Sequence, residues 1–361
     1  MLNRTDCQKE RPMQKNNVQF LLSLFKKILS LMVLVAFGFI LLTLPASGER
    51  SLPLMRISVE NSPSHVQTKA VRRFAEDLSH KVQGRLHVKF YDSARLYRDA
   101  QVLSALASDR LEMAVPGTWH FDRYEPDVGI FLLPAFYGRS AEDMHRVVDG
   151  EIGRRVEEKI EKGLRVFVPG RWLDLGHAHL YTNQPVTSKG DLKNLNIRVA
   201  GGLANAMRVE ALGAKAVMIP WPDLPARLKQ GNIDGVLTTH ETFRSAKLWN
   251  SGLSYVFEDR QYFPQYIPVI RQNFWRRLPE DLQKIIMETW EEHVDEARKE
   301  AAEAQKNARK LLLQHGMKIF TPTEKMLSEY RSFLAAHQDE IATALGVNPE
   351  LYADTMTFLK E

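Results

Sequence analysis

The stretch DLKNLNIRVAGG, residues 191–202, combines a strand pattern with an immediate turn. Apolar and polar residues alternate from 195 to 199, which is the period of a half-buried β-strand, and two glycines follow at 201 and 202. Arg198 stands at the end of this strand. Because its guanidinium is permanently charged, it must either reach solvent or pair with an anion. That partner is either a structural Asp or Glu or a ligand, since ligands of alternating α/β sheets lie outside the carboxyl ends of strands.

Strands and helices alternate on both sides of this stretch. The alternation predicts an α/β protein with mostly parallel sheets and helices on their faces. Residues 279–316 add a very long helix, apolar at its start and polar or alanine-rich in its middle, as expected of a strut across two lobes. The other predicted strands are 54–60, 85–91, 111–115, 215–219 and 233–239, and the other predicted helices are about 65–82, 100–106, 203–212 and 223–230.

The N-terminus has the pattern of an export signal. Lys26 and Lys27 precede an uncharged apolar run at residues 28–44, and small residues follow. At roughly 17 residues the run is also at the lower limit for a membrane span, so an uncleaved inner-membrane anchor is the alternative. We therefore assign residues 1–48 to a signal peptide or N-terminal anchor. The only cysteine, Cys7, precedes the run, so the exported part holds no disulfide.

The basic pI of about 9.1 comes from this leader. Residues 1–48 hold six Lys and Arg against two Asp and Glu, which leaves 43 basic and 42 acidic residues beyond them. A nearly neutral exported part lacks the positive footprint that binding to phosphate backbones requires. Nucleic acid is therefore excluded as a partner.

Catalytic motifs are scarce in the chain. There is no GxSxG elbow, no Walker loop and no GxGxxG, and the exported part has no cysteine nucleophile. His177 and His179 could offer two imidazoles to a metal, but no third ligand is evident. A secreted enzyme that uses one of these histidines with a nearby acid such as Asp174 is the alternative to a binding protein. Trp221, held in a Pro-Trp-Pro turn, is either a core aromatic or an apolar wall for a small ligand.

Several segments, in order, carry a family resemblance. They are LKNLNIRVAGG, ALGAKAVMIPW, LPARLKQGNIDGVLTTH and FWRRLPEDLQKII, with HVQTKAVRRFAEDLSHKVQGRLHVKFY in the N-terminal half. From residue 54 onward the chain resembles the substrate-binding proteins of tripartite ATP-independent periplasmic (TRAP) transporters, DctP type. The resemblance implies a two-lobed, type II-like periplasmic-binding-protein fold with a long helix spanning both lobes. It also implies a periplasmic receptor without catalysis, cofactor or metal.

The resemblance further implies the partners and the arrangement of the chain. The partners would be a small organic acid and the membrane subunits of a TRAP permease, and the receptor would be a monomer or a weak dimer. Lobe I would comprise residues 54–177 plus about 267–300, and lobe II residues 178–266 plus about 301–361, with hinges near Gly176 and Tyr266. A sensory subunit that reports its ligand to a membrane signalling complex would use the same closing cleft, and it stays open as an alternative.

The resemblance assigns ligand-binding roles by position. Arg198 matches the arginine that pairs with the ligand carboxylate, Trp221 the aromatic residue against the ligand, and Thr238 a polar ligand-facing residue. The first lobe's side of the cleft would come from the following residues: Glu60, Asn61, Gly117, Thr118 and Trp119.

The chain also departs from the family pattern. Where many relatives carry a second carboxylate-facing arginine, it has Ala178, so the second anchor is His177, His179, Arg171 or missing. Leu237 and Thr238 stand where the family commonly has Glu or Asn. These changes suggest a less polar pocket than a sugar-acid receptor needs, and predict an aliphatic or aromatic monocarboxylate.

Overall fold

The computed structural model describes residues 20–32 and 52–360. Its strands are β1 (Leu54–Ser58), β2 (His87–Tyr91), β3 (Met113–Ala114), β4 (Val166–Phe167), β5 (Leu173–Asp174), β6 (Ala178–Thr182), β7 (Asn196–Val199), β8 (Lys215–Met218), β9 (Gly235–Thr239), β10 (Tyr255–Tyr262), β11 (Gln265–Tyr266), β12 (Val269–Arg271) and β13 (Lys318–Phe320). Its helices from residue 52 onward are α1 (Val66–Lys81), α2 (Asp99–Ala107), α3 (Ala141–Val148), α4 (Glu151–Leu164), α5 (Leu203–Ala211), α6 (Leu224–Lys229), α7 (His240–Ser245), α8 (Gln272–Trp275), α9 (Glu280–Gln314), α10 (Glu324–Ala335), α11 (Gln338–Leu345) and α12 (Pro349–Phe358).

Residues 20–32 form a helix, and residues 52–360 form a compact unit. The rest of the predicted leader, residues 1–19 and 33–48, lies outside the described residues. In the described parts of the chain no helix combines the length and the apolar character needed to cross a bilayer.

The predicted α/β architecture is confirmed as two separate mixed sheets. The first has the strand order β2-β1-β3-β12-β4, and the second β13-β10-β6-β9-β7-β8. The expectation of mostly parallel sheets is met only narrowly, because four of the nine described strand pairs within these two sheets are antiparallel. The antiparallel partners in these sheets include β12 and β6, which enter a sheet after the chain has crossed from the other sheet and so run against their neighbours.

Local sequence accounts for the elements that flank the cleft. Helix α1 buries Val71, Phe74 and Leu78 at three-to-four-residue spacing, as its pattern predicts. Its N-cap is His65, whose Nδ1 accepts a hydrogen bond from the Gln67 amide at 3.2 Å. The polar residues 61–64 before it separate the helix from β1.

Three segments connect the two sheets. Two of them pair as the short antiparallel ladder of β5 with β11, where Gln265 lies opposite Asp174 and its Nε2 donates to the Asp174 carboxylate at 3.0 Å. The third connection is helix α9, which leaves the first sheet after β12 and reaches β13 in the second. The two lobes are therefore tied at one edge by a small ladder and one continuous helix.

Helix α9 confirms the predicted strut. It spans 35 residues and packs against α1, α7 and β5. The indole of Trp290 packs edge-on against Phe74 with ring centroids 5.0 Å apart, and its Nε1 donates to the Arg171 carbonyl at 2.9 Å. The helix is thus anchored in the core of the first lobe and continues along the second.

The chain ends with three helices that the sequence patterns did not separate. Helix α11 packs against α5 and the 3₁₀ turn Pro126–Leu132, and α12 packs against α4. The C-terminal segment therefore contacts elements next to both sheets. Its assignment to lobe II, like the other lobe boundaries, stays a prediction.

Candidate ligand-binding site

A small cavity of about 30 Å³ lies between the two sheets, where β1, β7 and β9 end. Ligands of alternating α/β folds are held at such carboxyl ends of strands. The cavity is lined by Glu60, Asn61, Trp119, Leu175, Arg198, Ala200, Trp221, Leu237, Thr238, Thr239, Thr242, Tyr262, Pro264 and Tyr266.

Arg198 provides the fixed positive charge of the cavity wall. It lies in β7 and is 1% exposed, although its guanidinium is permanently charged. Its Nε donates to the Ile219 carbonyl at 2.9 Å, and its Cζ lies 5.5 Å from the ring centroid of Trp221. These contacts hold the planar fork in one orientation, which suits a bidentate pair with a carboxylate.

Trp221 and Thr238 come to the same cavity from separate elements. Trp221 begins the 3₁₀ turn Trp221–Asp223 after Pro220 and is only partly buried, so it is a wall residue rather than a core aromatic. Thr238 is 7% exposed and belongs to β9, where it pairs in register with His179 of β6. Its hydroxyl supplies a group that can both donate and accept.

Glu60 and Asn61 follow β1 and form part of the opposite wall. The Asn61 amide nitrogen donates to the Tyr266 hydroxyl at 2.9 Å and to Gln67 Oε1 at 3.2 Å, while Gln67 Nε2 donates to the Val115 carbonyl at 3.0 Å. This chain of hydrogen bonds fixes the Asn61 side chain against β11.

Trp119 lies deep between the lobes and is 5% exposed. Its ring meets Tyr266 edge-on at a centroid distance of 5.5 Å. Gly117 and Thr118 do not line the cavity, although both were expected there. A methyl group on Gly117 would lie 2.3 Å from Trp119 Cη2, so Gly117 leaves the space that the indole occupies. Thr118 is 1% exposed and points into the protein interior.

The structure does not bring Arg171 to the cavity. Its Nε donates to Glu291 at 2.8 Å and its Nη1 to Asp295 at 2.8 Å, both on helix α9, and these pairs raise its pKa further. The hypothesis that Arg171 is a second ligand anchor is therefore corrected, because its guanidinium is paired with two carboxylates of helix α9.

His177 and His179 line a different cavity, bounded by α3, Phe263 and α9. His177 Nε2 bonds to the Arg139 carbonyl at 2.7 Å, and His179 Nδ1 accepts from the Arg260 amide at 3.2 Å. Burial lowers the pKa of both imidazoles. Neither histidine reaches the ligand cavity, which corrects their expected place as anchors.

The carboxylate of Asp174 also faces this second cavity. It pairs with His145 Nε2 at 2.7 Å rather than with His177 or His179. The acid and histidine pair that the enzyme alternative needs is therefore not formed by the predicted residues. In the described part of the chain no three His, Cys, Asp or Glu side chains are arranged to hold a metal ion.

Tyr262 and Tyr266 are lining residues that the sequence reasoning missed. Burial raises the pKa of Tyr262 to about 12, so its hydroxyl stays protonated. Arg208 lies behind it, with Cζ 5.1 Å from the Tyr262 ring and Nη2 donating to Asn205 at 2.6 Å. Only the expected hinge near Tyr266 pointed to this region, because strand patterns do not show where distant strands meet.

The chain matches the model of the family described as bacterial extracellular solute-binding protein, family 7 (DctP), over residues 57–344. A solute-binding protein of Chromohalobacter salexigens is 26% identical over 285 residues, which cover 77% of this chain and 83% of the relative.

Solved structures show the same fold. A TRAP periplasmic solute-binding protein of Sulfurospirillum deleyianum with bound succinate has a TM-score of 0.78 and 21% identity, and the match covers 84% of this chain and 98% of that one. The sugar acid binding protein of Advenella mimigardefordensis in complex with galactonate has a TM-score of 0.79 and 19% identity, covering 85% and 98%. The two-lobed fold and the family resemblance are thereby confirmed. This chain belongs to the DctP family of bacterial extracellular solute-binding proteins.

Proposed function

We propose that the protein is an exported, non-catalytic receptor that binds a small organic carboxylate between its lobes and delivers it to a TRAP permease. The observation that carries this proposal is Arg198, a buried guanidinium fixed in the wall of a small interlobe cavity. Its orientation matches the geometry of a carboxylate, and the bound succinate and galactonate of the two solved relatives are both carboxylates.

A monocarboxylate is the ligand class that this cavity supports best. Arg198 is its only arginine or lysine lining residue among those described, since Arg171 is paired elsewhere and Ala178 replaces the second arginine. The lining next to Arg198 is aromatic and aliphatic, with Trp221, Leu237 and Tyr262. Exclusive binding of polyhydroxylated acids would contradict this part of the proposal.

The proposal includes the arrangement of the chain in the cell. An N-terminal signal or anchor at residues 1–48 would place residues 54–361 in the periplasm, as a monomer or weak dimer. The lobes would comprise residues 54–177 with about 267–300, and 178–266 with about 301–361, and the β5–β11 ladder supports hinges near Gly176 and Tyr266. Lobe closure around the ligand would present the surface that the permease recognises.

Thermal-shift measurements with organic acids and their matched neutral amides test the proposal. A ligand at a hundred times its dissociation constant adds about 2.7 kcal/mol of stability, which raises the melting temperature by several degrees. We expect acids, and not amides, to stabilise the wild-type protein. Arg198→Met should remove the shift, whereas the control Arg171→Met should keep it because Arg171 lies outside the cavity. Equal shifts in both variants would show that Arg198 is a structural residue.

A further inference from the structure

The indole of Trp119 is a buried hydrogen-bond donor at the cavity. The side chain is more than nine-tenths buried, and its Nε1 has no hydrogen-bond acceptor among the described residues. Buried donors are almost always paired, because an unmade hydrogen bond leaves the desolvation of the N–H group uncompensated. An orphan donor in the wall of a binding cavity therefore points to a partner on the ligand.

The surroundings of the ring place this N–H between the lobes. A methyl group on Gly117 would lie 2.6 Å from Trp119 Cε2, and one on Gly201 would lie 3.3 Å from Trp119 Cδ1. Nε1 is bonded to both of these ring atoms. Gly117 follows β3 of the first sheet and Gly201 follows β7 of the second, so the donor sits where the two lobes meet.

The position of the ring is fixed by its neighbours. Tyr266 meets it edge-on at 5.5 Å, and the His120 ring is tilted against it at 5.6 Å between centroids. Because Gly117 and Gly201 carry no side chain, the ring fits into the space between them. The N–H is therefore preorganised, which makes it a selective contact rather than an adaptable one.

We propose that Trp119 Nε1–H donates a hydrogen bond to a second oxygen of the ligand, so that the substrate class is short acids with an oxo or hydroxyl oxygen close to the carboxylate. This inference rests on the proposed function, in which Arg198 holds the carboxylate. An indole N–H can only donate, so the group that meets it must be an acceptor. A 2-oxo or 2-hydroxy oxygen accepts, a methylene group does not, and the ammonium of a 2-amino acid is itself only a donor.

Such a ligand would contact both lobes through different atoms. Arg198 and Thr238 belong to the second sheet and Trp119 follows the first, yet all three line the same small cavity. The carboxylate would therefore be held by one lobe and the adjacent oxygen by the other. An unsubstituted acid would leave the Trp119 donor unpaired after closure.

Titration calorimetry with a matched set of acids tests this inference. Valerate, 2-oxovalerate, 2-hydroxyvalerate and 2-aminovalerate differ only at the second carbon. We expect the wild-type protein to bind the oxo or hydroxy acid about tenfold or more tightly than valerate, the effect of one buried hydrogen bond. Trp119→Phe keeps an aromatic ring but removes the N–H, and should bring this ratio close to one. The control Trp249→Phe, whose ring stacks on His315 away from the cavity, should keep the wild-type ratio.

The outcomes separate this inference from the proposed function. If Arg198→Met leaves the binding of every acid unchanged, the carboxylate receptor itself is wrong. If Arg198→Met weakens all acids but Trp119→Phe keeps the wild-type ratio, only the role of Trp119 is wrong. Binding of 2-aminovalerate as tight as that of 2-oxovalerate would also overturn it.

Indole NMR signals give a test that needs no variant to keep its affinity. The chain has six tryptophans, whose Nε1–H signals can be resolved after ¹⁵N labelling. We expect 2-oxovalerate to shift one of them downfield, with valerate leaving the same signal in place, and we expect that signal to be missing in Trp119→Phe. An unshifted Trp119 signal at saturating 2-oxovalerate would refute the hydrogen bond.

Discussion

Replacing Gly201 with alanine would test whether the lobes close against each other at Trp119. A methyl group at Gly201 would lie 2.9 Å from the Trp119 carbonyl oxygen and 3.3 Å from its Cδ1, and the next nearest atom is His120 Nδ1 at 3.7 Å. All three atoms belong to the opposite lobe. Gly201 is not in a left-handed conformation, so alanine meets no backbone penalty there.

The free-energy cost of the added methyl group depends on which atom it contacts. A carbonyl oxygen of the backbone cannot move aside by changing rotamer, so the lobes must separate slightly to admit the methyl group. Overpacking of this kind costs about 1–3 kcal/mol. Since this cost arises only when the lobes are closed, it should appear as a loss of ligand affinity of roughly 5-fold to 150-fold.

Calorimetry with a bound acid measures the affinity, and thermal melting without ligand measures the stability. We expect Gly201→Ala to bind weakly and to melt like the wild type when no ligand is present. The control is Gly190→Ala, where the nearest atom to the added methyl group is Ser188 Oγ at 3.6 Å, an ordinary contact. Wild-type affinity in Gly201→Ala would show that the bound state does not use this interlobe contact.

Three further changes have expected outcomes. Gly117→Ala should displace the indole of Trp119, whose ring atoms lie as close as 2.3 Å to the added methyl group, and tryptophan fluorescence together with ligand affinity would report the displacement. Burial raises the pKa of Asp259 to about 7, so the folded state retains a proton that the unfolded state has lost, and stability falls as pH rises from about 4 to 7. Asp259→Asn should therefore raise the melting temperature by several degrees at pH 8 and much less at pH 4; equal gains at both values would contradict this ionisation. Gln305→Ala removes a side chain that bonds to the Glu241 amide and the Leu175 carbonyl, and should lower the free energy of unfolding in urea by about 1–3 kcal/mol, so an unchanged midpoint would show that these bonds contribute little.

Short-range patterns predicted the elements better than their pairing. The alternation around Arg198 and the spacing in α1 are local signals, and both elements formed where expected. The direction of a strand within its sheet depends on where the chain re-enters after crossing between lobes. No local pattern encodes that crossing, which is why the sequence did not predict that β6 and β12 run antiparallel to their neighbours.

The residues that line the cavity were likewise only partly predictable from the sequence. The family motif pointed to Arg198, Trp221 and Thr238, and the structure brings these residues to one cavity. Arg171 was wrongly expected at the cavity because its partners, Glu291 and Asp295, lie more than a hundred residues away in the chain. An arginine's partner cannot be read from its neighbours in sequence when the pairing joins a hinge segment to a distant helix.

The route of helix α9 through both lobes has a consequence for the timing of ligand release. A helix of 35 residues is about 52 Å long, and it stays hydrogen-bonded along its axis while the lobes rotate. Any sliding of one lobe past the other would have to break the packing of α9 against α1 and α7 at once. We therefore expect opening to be a rotation about a single edge. We expect dissociation to follow a single exponential, with the residence time of the ligand set by the rate of this one rotation.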